Sequence, residues 1–388
     1  MKKKLFLFPV FLVIYELAAY LTMDAFLPAL PIITRDFGIT HNLGQLTFTL
    51  WFLGGVSTQF ILGPLTDRCG RRPVLLLGGT LFVVASVGCG LADSMNMFLL
   101  ARFLQGAAVP SMIVAGYAAI HESLDTKEAI HTIAVMGSVT ILAPAFGPLL
   151  GGIILAFRSW QSIFEILAIW GSLALALLYF FMPETLSIES RQTELKFKPV
   201  MQNYYQVISN SGFMKNILGG TFAIGGLMAW MFVGPFLVID QFSYSTIQYG
   251  FFQAAVFACF ILAMTIIKKV MTESNMTAFI RMGLGINFIG ALCAILTSTL
   301  FPHLLFPLVG TIMTIGFGAG LCFPVLSRLA IESSEAPMGI RMTVLSSMQM
   351  LIATVASASV AIFFTGTLFS LAIVVAFFSC IACAIRLR

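Results

Sequence analysis

Charge is scarce in this sequence. Only 10% of the 388 residues are Asp, Glu, Lys or Arg, whereas 59% are apolar and the mean hydropathy is +0.99. A soluble domain carries roughly 25% charged residues and needs them to cover its exterior. Lipid is therefore the solvent for most of this chain. Histidine is also rare, and His41, His121, His131 and His303 lie far apart without metal-ligand spacing, so no metal site is expected. The seven cysteines (69, 89, 259, 293, 322, 380 and 383) are scattered through or beside apolar stretches. Cys380-x-x-Cys383 has redox spacing, but it lies in an apolar helix with no companion pair, and all seven read as small hydrophobes.

What the sequence has in abundance is long apolar runs. They fall near 6–30, 43–65, 74–92, 97–120, 129–156, 160–182, 213–239, 247–267, 277–300, 303–331, 342–364 and 366–385. Each is long enough for a spanning helix, which needs about 20 residues. The alternating strands of an outer-membrane barrel are absent. The fold class expected is all-α integral membrane, with twelve spans. Lys2, Lys3 and Lys4 precede the first run, but no small-x-small cleavage site follows, so that run reads as an uncleaved helix rather than a secretory leader.

With an even number of spans both termini share a side. Nearly all the cations fall there, including Lys2, Lys3, Lys4, Arg68, Arg71, Arg72, Arg191, Lys196, Lys198, Arg386 and Arg388; only Arg35 and Arg158 fall opposite. The positive-inside bias places both termini in the cytoplasm. It also accounts for the net charge of +5 without nucleic acid. The longest polar stretch, about 183–212, holds Glu184, Glu189, Arg191, Glu194, Lys196 and Lys198. It reads as a cytoplasmic linker between a six-span half at 1–182 and another at 213–388. Ala119-Ile120-His121-Glu122-Ser123 recurs in part as Ala330-Ile331-Glu332-Ser333 at the equivalent helix of the second half. Such repeats commonly enclose a midplane site in secondary carriers.

Charges inside the runs mark candidate chemistry. Glu16 lies about ten residues into the first run. Asp24 is eight residues on, roughly 12 Å along a helix and about 80° around it, so the two carboxylates can line one cavity at different depths. Loss of water favours a neutral carboxyl, and a nearby arginine or bound cation favours the ionised one. A proton and a cationic substrate could therefore compete for such a group. Asp24 could equally lie at the outer interface, ahead of Pro28 and Pro31. Arg102, deep in the fourth run, requires a cavity or a carboxylate, unless it snorkels to the headgroups. Glu165 and Asp240 sit near outer helix ends and are expected to be solvated. Arg328 is four residues before Glu332, the spacing of an ion pair on one helix face; it remains a further candidate site residue.

Three motifs add specificity. After the second run comes Gly63-Pro64-Leu65-Thr66-Asp67-Arg68-Cys69-Gly70-Arg71-Arg72-Pro73, where glycine and proline suit a sharp turn and the arginines suit neighbouring acids. This pattern resembles the signature loop of the major facilitator superfamily. The corresponding stretch after the eighth run, Lys268–Glu273, lacks it. The fifth run carries Ala143-Pro144-x-x-Gly147-Pro148-x-x-Gly151-Gly152, suited to a bent, closely packed helix. It resembles the antiporter motif of the same superfamily. Arg102-Phe103-Leu104-Gln105-Gly106 is similar to its fourth-helix motif, whose arginine takes part in proton coupling.

Tyr15-Glu16-x-x-x-Tyr20-x-x-x-Asp24, Gly116-Tyr117-Ala118-Ala119-Ile120, Ala229-Trp230 with Pro235, and Met348–Ile352 extend the resemblance over nearly the whole chain, to the twelve-span drug/proton antiporters of the bacterial inner membrane. The resemblance implies that Glu16 and Asp24 exchange protons and recognise cationic drugs, with Arg102 as electrostatic partner. It also implies that Tyr20, Met136, Ala143, Pro144 and Trp230 line a central pocket. Met23 and Thr140 depart from the family pattern at two pocket positions and leave the substrate range open. The expectation is a monomeric carrier without cofactor, driven by the proton gradient, that exports lipophilic and often cationic small molecules. A proton-coupled carrier of one metabolite or siderophore would share the fold and the acids. An integral-membrane enzyme would need a nucleophile, metal cluster or cofactor motif, and none is present in the sequence.

Overall fold

The computed structural model describes residues 2–187 and 197–387, without side-chain detail at 2–6, 130, 197–199, 273 and 387. The basic side chains of Lys2, Lys3, Lys4, Arg191, Lys196, Lys198 and Arg388, with Glu189 and Glu194 of the polar stretch, lie outside that description. Among the described residues the secondary structure is helical throughout. Twelve helices are long and apolar enough to cross a membrane. We number them α1 (Lys2–Asp24), α2 (His41–Cys69), α3 (Arg71–Gly90), α4 (Met95–Ser111), α5 (Thr126–Phe157), α6 (Gln161–Phe181), α7 (Ser211–Pro235), α8 (Thr246–Val270), α9 (Met276–Leu300), α10 (Leu305–Glu332), α11 (Met338–Phe363) and α12 (Leu368–Leu387).

Polar residues at the helix starts satisfy the free N–H groups there. Thr40, Asp125 and Asn210 accept from Leu43, Glu128 and Phe213 at the starts of α2, α5 and α7. Ser245 and Gln248 bond reciprocally at the start of α8. The reading of the α2–α3 connection as a turn from Gly63 onward is corrected here. Gly63, Pro64 and Asp67 lie inside α2, and Gly70 alone breaks the helix, at φ +101°. A proline one residue from a glycine does not end a helix whose Pro N–H deficit is absorbed in a bilayer-spanning segment; a left-handed residue does.

Helix packing repeats after six. In the first six the neighbours run α5, α1, α6, α3, α4, α2; in the last six they run α11, α7, α12, α9, α10, α8, the same order shifted by six. In addition, α7 packs directly on α10. The two sets meet along α2–α11 and α5–α8. At α5–α8 backbone approaches backbone: a methyl on Gly250 would stand 2.6 Å from Leu149 Cα. On the side away from the termini, Gln45 Nε2 donates to the Phe232 carbonyl at 2.8 Å. The Ser357 hydroxyl donates to the Gln45 carbonyl at 3.0 Å. Asp240 there is only partly solvated, although its position near a helix end suggests full exposure. It is 23% exposed and meets His41 at 3.3 Å and Arg35 at 3.7 Å, because the chain folds α7's end onto the start of α2.

On the terminal side, the short helix Phe197–Ser209 lies between α2 and α11. Tyr204 packs its ring on Phe60 of α2 and clusters with Val344 and Leu345 of α11. It is tied to α7 by a single capping residue, Asn210.

Candidate functional site

Glu16 and Asp24 project from α1 into the protein interior, and the carboxylates are 0% and 2% exposed. Asp24 is thus enclosed by protein, whatever its depth along the span. Its turn is held down by α5: a methyl at Gly147 would stand 2.5 Å from Asp24 Cβ, and one at Gly151 would stand 1.7 Å from the Ala25 carbonyl oxygen. The fifth-helix motif thus seats directly against the turn that carries the acid. Glu16 Oε1 accepts from the Tyr117 hydroxyl at 3.2 Å, while Glu16 Oε2 and Asp24 Oδ1 have no partner among the described residues. Tyr117 follows a π-helical turn, Met112–Gly116, that re-registers the end of α4.

Arg102 is wholly buried in α4. Among the described residues it makes no ion pair. Its Nη1 donates to the Thr22 carbonyl at 3.1 Å and to Gln105 Oε1 at 2.5 Å. Nη2 reaches Met23 Sδ at 3.6 Å, and the guanidinium lies 4.2 Å from the centre of the Phe26 ring. Gln105 continues the chain by donating to Ser86 at 2.9 Å. The backbone and side chains of α1 on either side of Asp24 therefore hold the cation beside the acid without contact. Met23, one of the departures from the family pattern, supplies one of those partners.

The other expected pocket residues are distributed as follows. Met23, Met136, Ala143 and Trp230 are buried in one apolar cluster, with Tyr20 packed against it. The Trp230 indole donates to Gln253 at 2.9 Å. Thr140 spends its hydroxyl on the Gly137 carbonyl of its own helix, at 2.9 Å, and Pro144 is half-buried. A cavity of about 110 Å³ lies elsewhere, between α7, α10 and α11. Arg328 pairs with Glu332 at 2.7 Å on an exposed helix face, remote from the buried acids.

The signature segment forms a network on the terminal side. Arg71 donates to Asp67 at 2.5 Å and to Glu122 at 3.0 and 3.1 Å. Its backbone N–H donates to Glu184 at 3.0 Å, and the Thr185 hydroxyl donates to Glu122. Arg72 donates to the Tyr179 carbonyl at 2.6 Å, and Arg68 is exposed. This joins α2, α3, α6 and the end of α4.

The sequence model of the Major Facilitator Superfamily matches residues 12–358. The chain belongs to that superfamily. It is a multi-pass membrane transporter and not an enzyme. Among similar proteins, the multidrug resistance protein MdtM of Salmonella typhimurium is 34% identical over 354 residues, covering 91% of this chain and 84% of the relative. The multidrug transporter MdfA of Yersinia pestis is 31% identical over 352 residues, covering 91% and 86%. The chloramphenicol resistance protein CraA of Acinetobacter baumannii is 32% identical over 356 residues, covering 90% and 83%. The fold matches a bacterial homologue of the human lysosomal transporter Spinster, in its inward-facing and occupied conformation. That match has a TM-score of 0.74 at 14% identity and covers 98% of this chain and 95% of the other. It also matches the human organic anion transporter MFSD10, with a TM-score of 0.67 at 16% identity, covering 100% and 98%.

Sequence reasoning missed Tyr117 and Gln105 as site residues, although both lie in motifs that it singled out. Tyr117 is 101 positions from Glu16, and only the approach of the π-helical turn after α4 to α1 makes the pair. Of the cavity residues, Gln349 and Ile352 lie in the Met348–Ile352 stretch that carried the resemblance; the others gave no sequence signal, because apolar side chains facing a gap read like those facing lipid.

Proposed function

We propose that this facilitator exports lipophilic, often cationic small molecules in exchange for protons, by alternating access of a site between its two halves. The observation that carries the proposal is the pair of buried carboxylates on α1, each with an oxygen that has no partner among the described residues. A buried carboxylate oxygen without a donor is costly, and either a proton or a cation relieves that cost. Competition between the two is what couples them. Arg102 is set beside Asp24 by Thr22 and Met23, so the acid competes for its proton next to a fixed cation. Similarity to MdtM, MdfA and CraA supports drugs as the substrate class.

The same proposal takes residues 1–182 and 213–388 as two six-helix bundles joined by the 183–212 linker. It places both termini in the cytoplasm of a bacterial inner membrane and needs no cofactor or second subunit. Met23, Met136, Ala143 and Trp230 would form the apolar wall that faces the acids, with Tyr20, Thr140 and Pro144 at its edge.

Transport in proteoliposomes with an imposed pH gradient tests it. The wild-type protein should move a lipophilic cation against the proton flux, and Glu16→Gln should abolish the dependence on the gradient. Substrate moving in the same direction as protons would instead identify an importer. Coupling that survives both Glu16→Gln and Asp24→Asn would remove the acids from the mechanism.

A further inference from the structure

His41, Asp240 and Arg35 meet where the two sets of helices close on the side away from the termini, and none of them belongs to the acid site. The register that brings them together is built turn by turn. Gln45 of α2 donates to the Phe232 carbonyl of α7 at 2.8 Å. One turn before Gln45, the His41 imidazole stacks on the ring of Phe236, one turn after Phe232, with ring centres 4.3 Å apart. Phe236 opens the π-helical turn Phe236–Gln241, which also carries Asp240. His41 Nε2 thus stands 3.3 Å from Asp240 Oδ2. Gly44 permits the approach, since an added methyl there would stand 2.6 Å from Thr34 and 3.4 Å from Phe236.

The two contacts of α2 differ in kind. The carboxamide of Gln45 is neutral at any physiological pH, whereas imidazole is the side chain whose charge ordinarily changes between about pH 5 and 8. As a cation, His41 attracts the Asp240 carboxylate and gains from the face of the Phe236 ring. As a neutral ring it keeps the stacking and loses the ion pair. The other charged groups at this corner lie on the short helix Leu30–Asp36. They are Arg35, 3.7 Å from Asp240 Oδ1, and Asp36, which accepts from the Trp160 indole at 2.8 Å. Apart from His41 and Asp240, neither residues 41–53 nor the turn Phe236–Gln241 carries a charge.

We propose that His41 and Asp240 form a pH-sensitive latch between the two halves. Acid in the compartment that this side faces tightens the closed arrangement, and alkali loosens it, while Gln45 supplies a fastening that pH leaves alone. The latch does not rest on the proton-coupled reading of Glu16 and Asp24. It sets how readily this side opens, in response to the medium outside the site.

Distances between spin labels on the adjoining ends of α2 and α7, in lipid nanodiscs, test this without substrate or gradient. His41 is 44% and Asp240 23% exposed, so solvent weakens the pair. A pair of that kind shifts an equilibrium about twofold to fivefold. Raising the pH from about 5.5 to about 8.5 should lower the ratio of short to long distances by that factor. His41→Gln and Asp240→Asn should each remove the response. Protein carrying both Glu16→Gln and Asp24→Asn should keep it. A response that persists in His41→Gln overturns the latch, as does a flat profile in the wild-type protein. A response lost only in the double carboxylate variant also overturns it, and assigns the pH dependence to the buried acids instead.

Discussion

Arg102 shows how a membrane interior tolerates a full charge. An isolated cation at that depth is expensive, and here it is dispersed over a backbone carbonyl, an amide oxygen, a sulfur and an aromatic face. The planar fork is essential to reaching all of them, so lysine is not an equivalent. We predict that Arg102→Lys loses at least two of these partners and costs about 2 kcal/mol of stability, read as a lowered midpoint of thermal unfolding in detergent. An unchanged midpoint would mean that the fork is dispensable. Tyr117 makes a narrower prediction. Tyr117→Phe removes the one donor to Glu16 among the described residues while keeping the ring, and so should alter the pH profile of transport with little effect on folded yield. In the Glu16→Gln background the same change should have no effect on that profile. The acids and Arg102 were legible in the sequence because charge is conspicuous in an apolar run. Their partners were not, since Thr22, Gln105 and Tyr117 acquire their roles only once α1 and α4 are side by side.

At the scale of helices, close approach decides more than composition. The α5 motif was readable as a bent, closely packed helix, but the sequence did not say what it packs on. Gly151 answers this, because any Cβ there would collide with the backbone of Ala25, which has no rotamer by which to yield. Gly151→Ala should therefore force α5 away from α1 and cost about 2 to 3 kcal/mol. Gly137 lies on the same helix with nothing within 4 Å of its added methyl, so Gly137→Ala should be neutral or slightly stabilising. Thermal unfolding of the two variants side by side makes the comparison, and equal effects would contradict the packing. The α2–α3 connection illustrates the opposite error. Its glycines and prolines look alike in the sequence, yet only Gly70 adopts the left-handed backbone that ends a helix. Helix extents otherwise followed the apolar runs to within several residues, since in lipid the backbone has few alternatives.

Across the whole molecule, the two sets of six helices are fastened on the side away from the termini. Gln45 and Ser357 link α2, α7 and α11 there, and Asp240 meets His41 and Arg35. Removing such a fastener should shift the balance between conformations rather than unfold the protein. For Gln45→Leu we predict longer distances across that side, measured by spin labels on the ends of α2 and α11 in lipid nanodiscs. An unaltered distance distribution would show that these bonds do not hold the closed arrangement.

The α5–α8 contact, where Gly250 lies against Leu149, has a further consequence for how the halves could move. Side chains that interlock across an interface must be pulled out of their sockets before two bodies can turn. Where main chain meets main chain, as at Gly250, there is no socket. Such a contact permits rolling and small slides at nearly constant separation, as a smooth bearing does. Substitutions at Gly250 should therefore slow the exchange between conformations more than they change substrate affinity. The distinction can be read by comparing turnover with equilibrium binding in a Gly250→Ala variant.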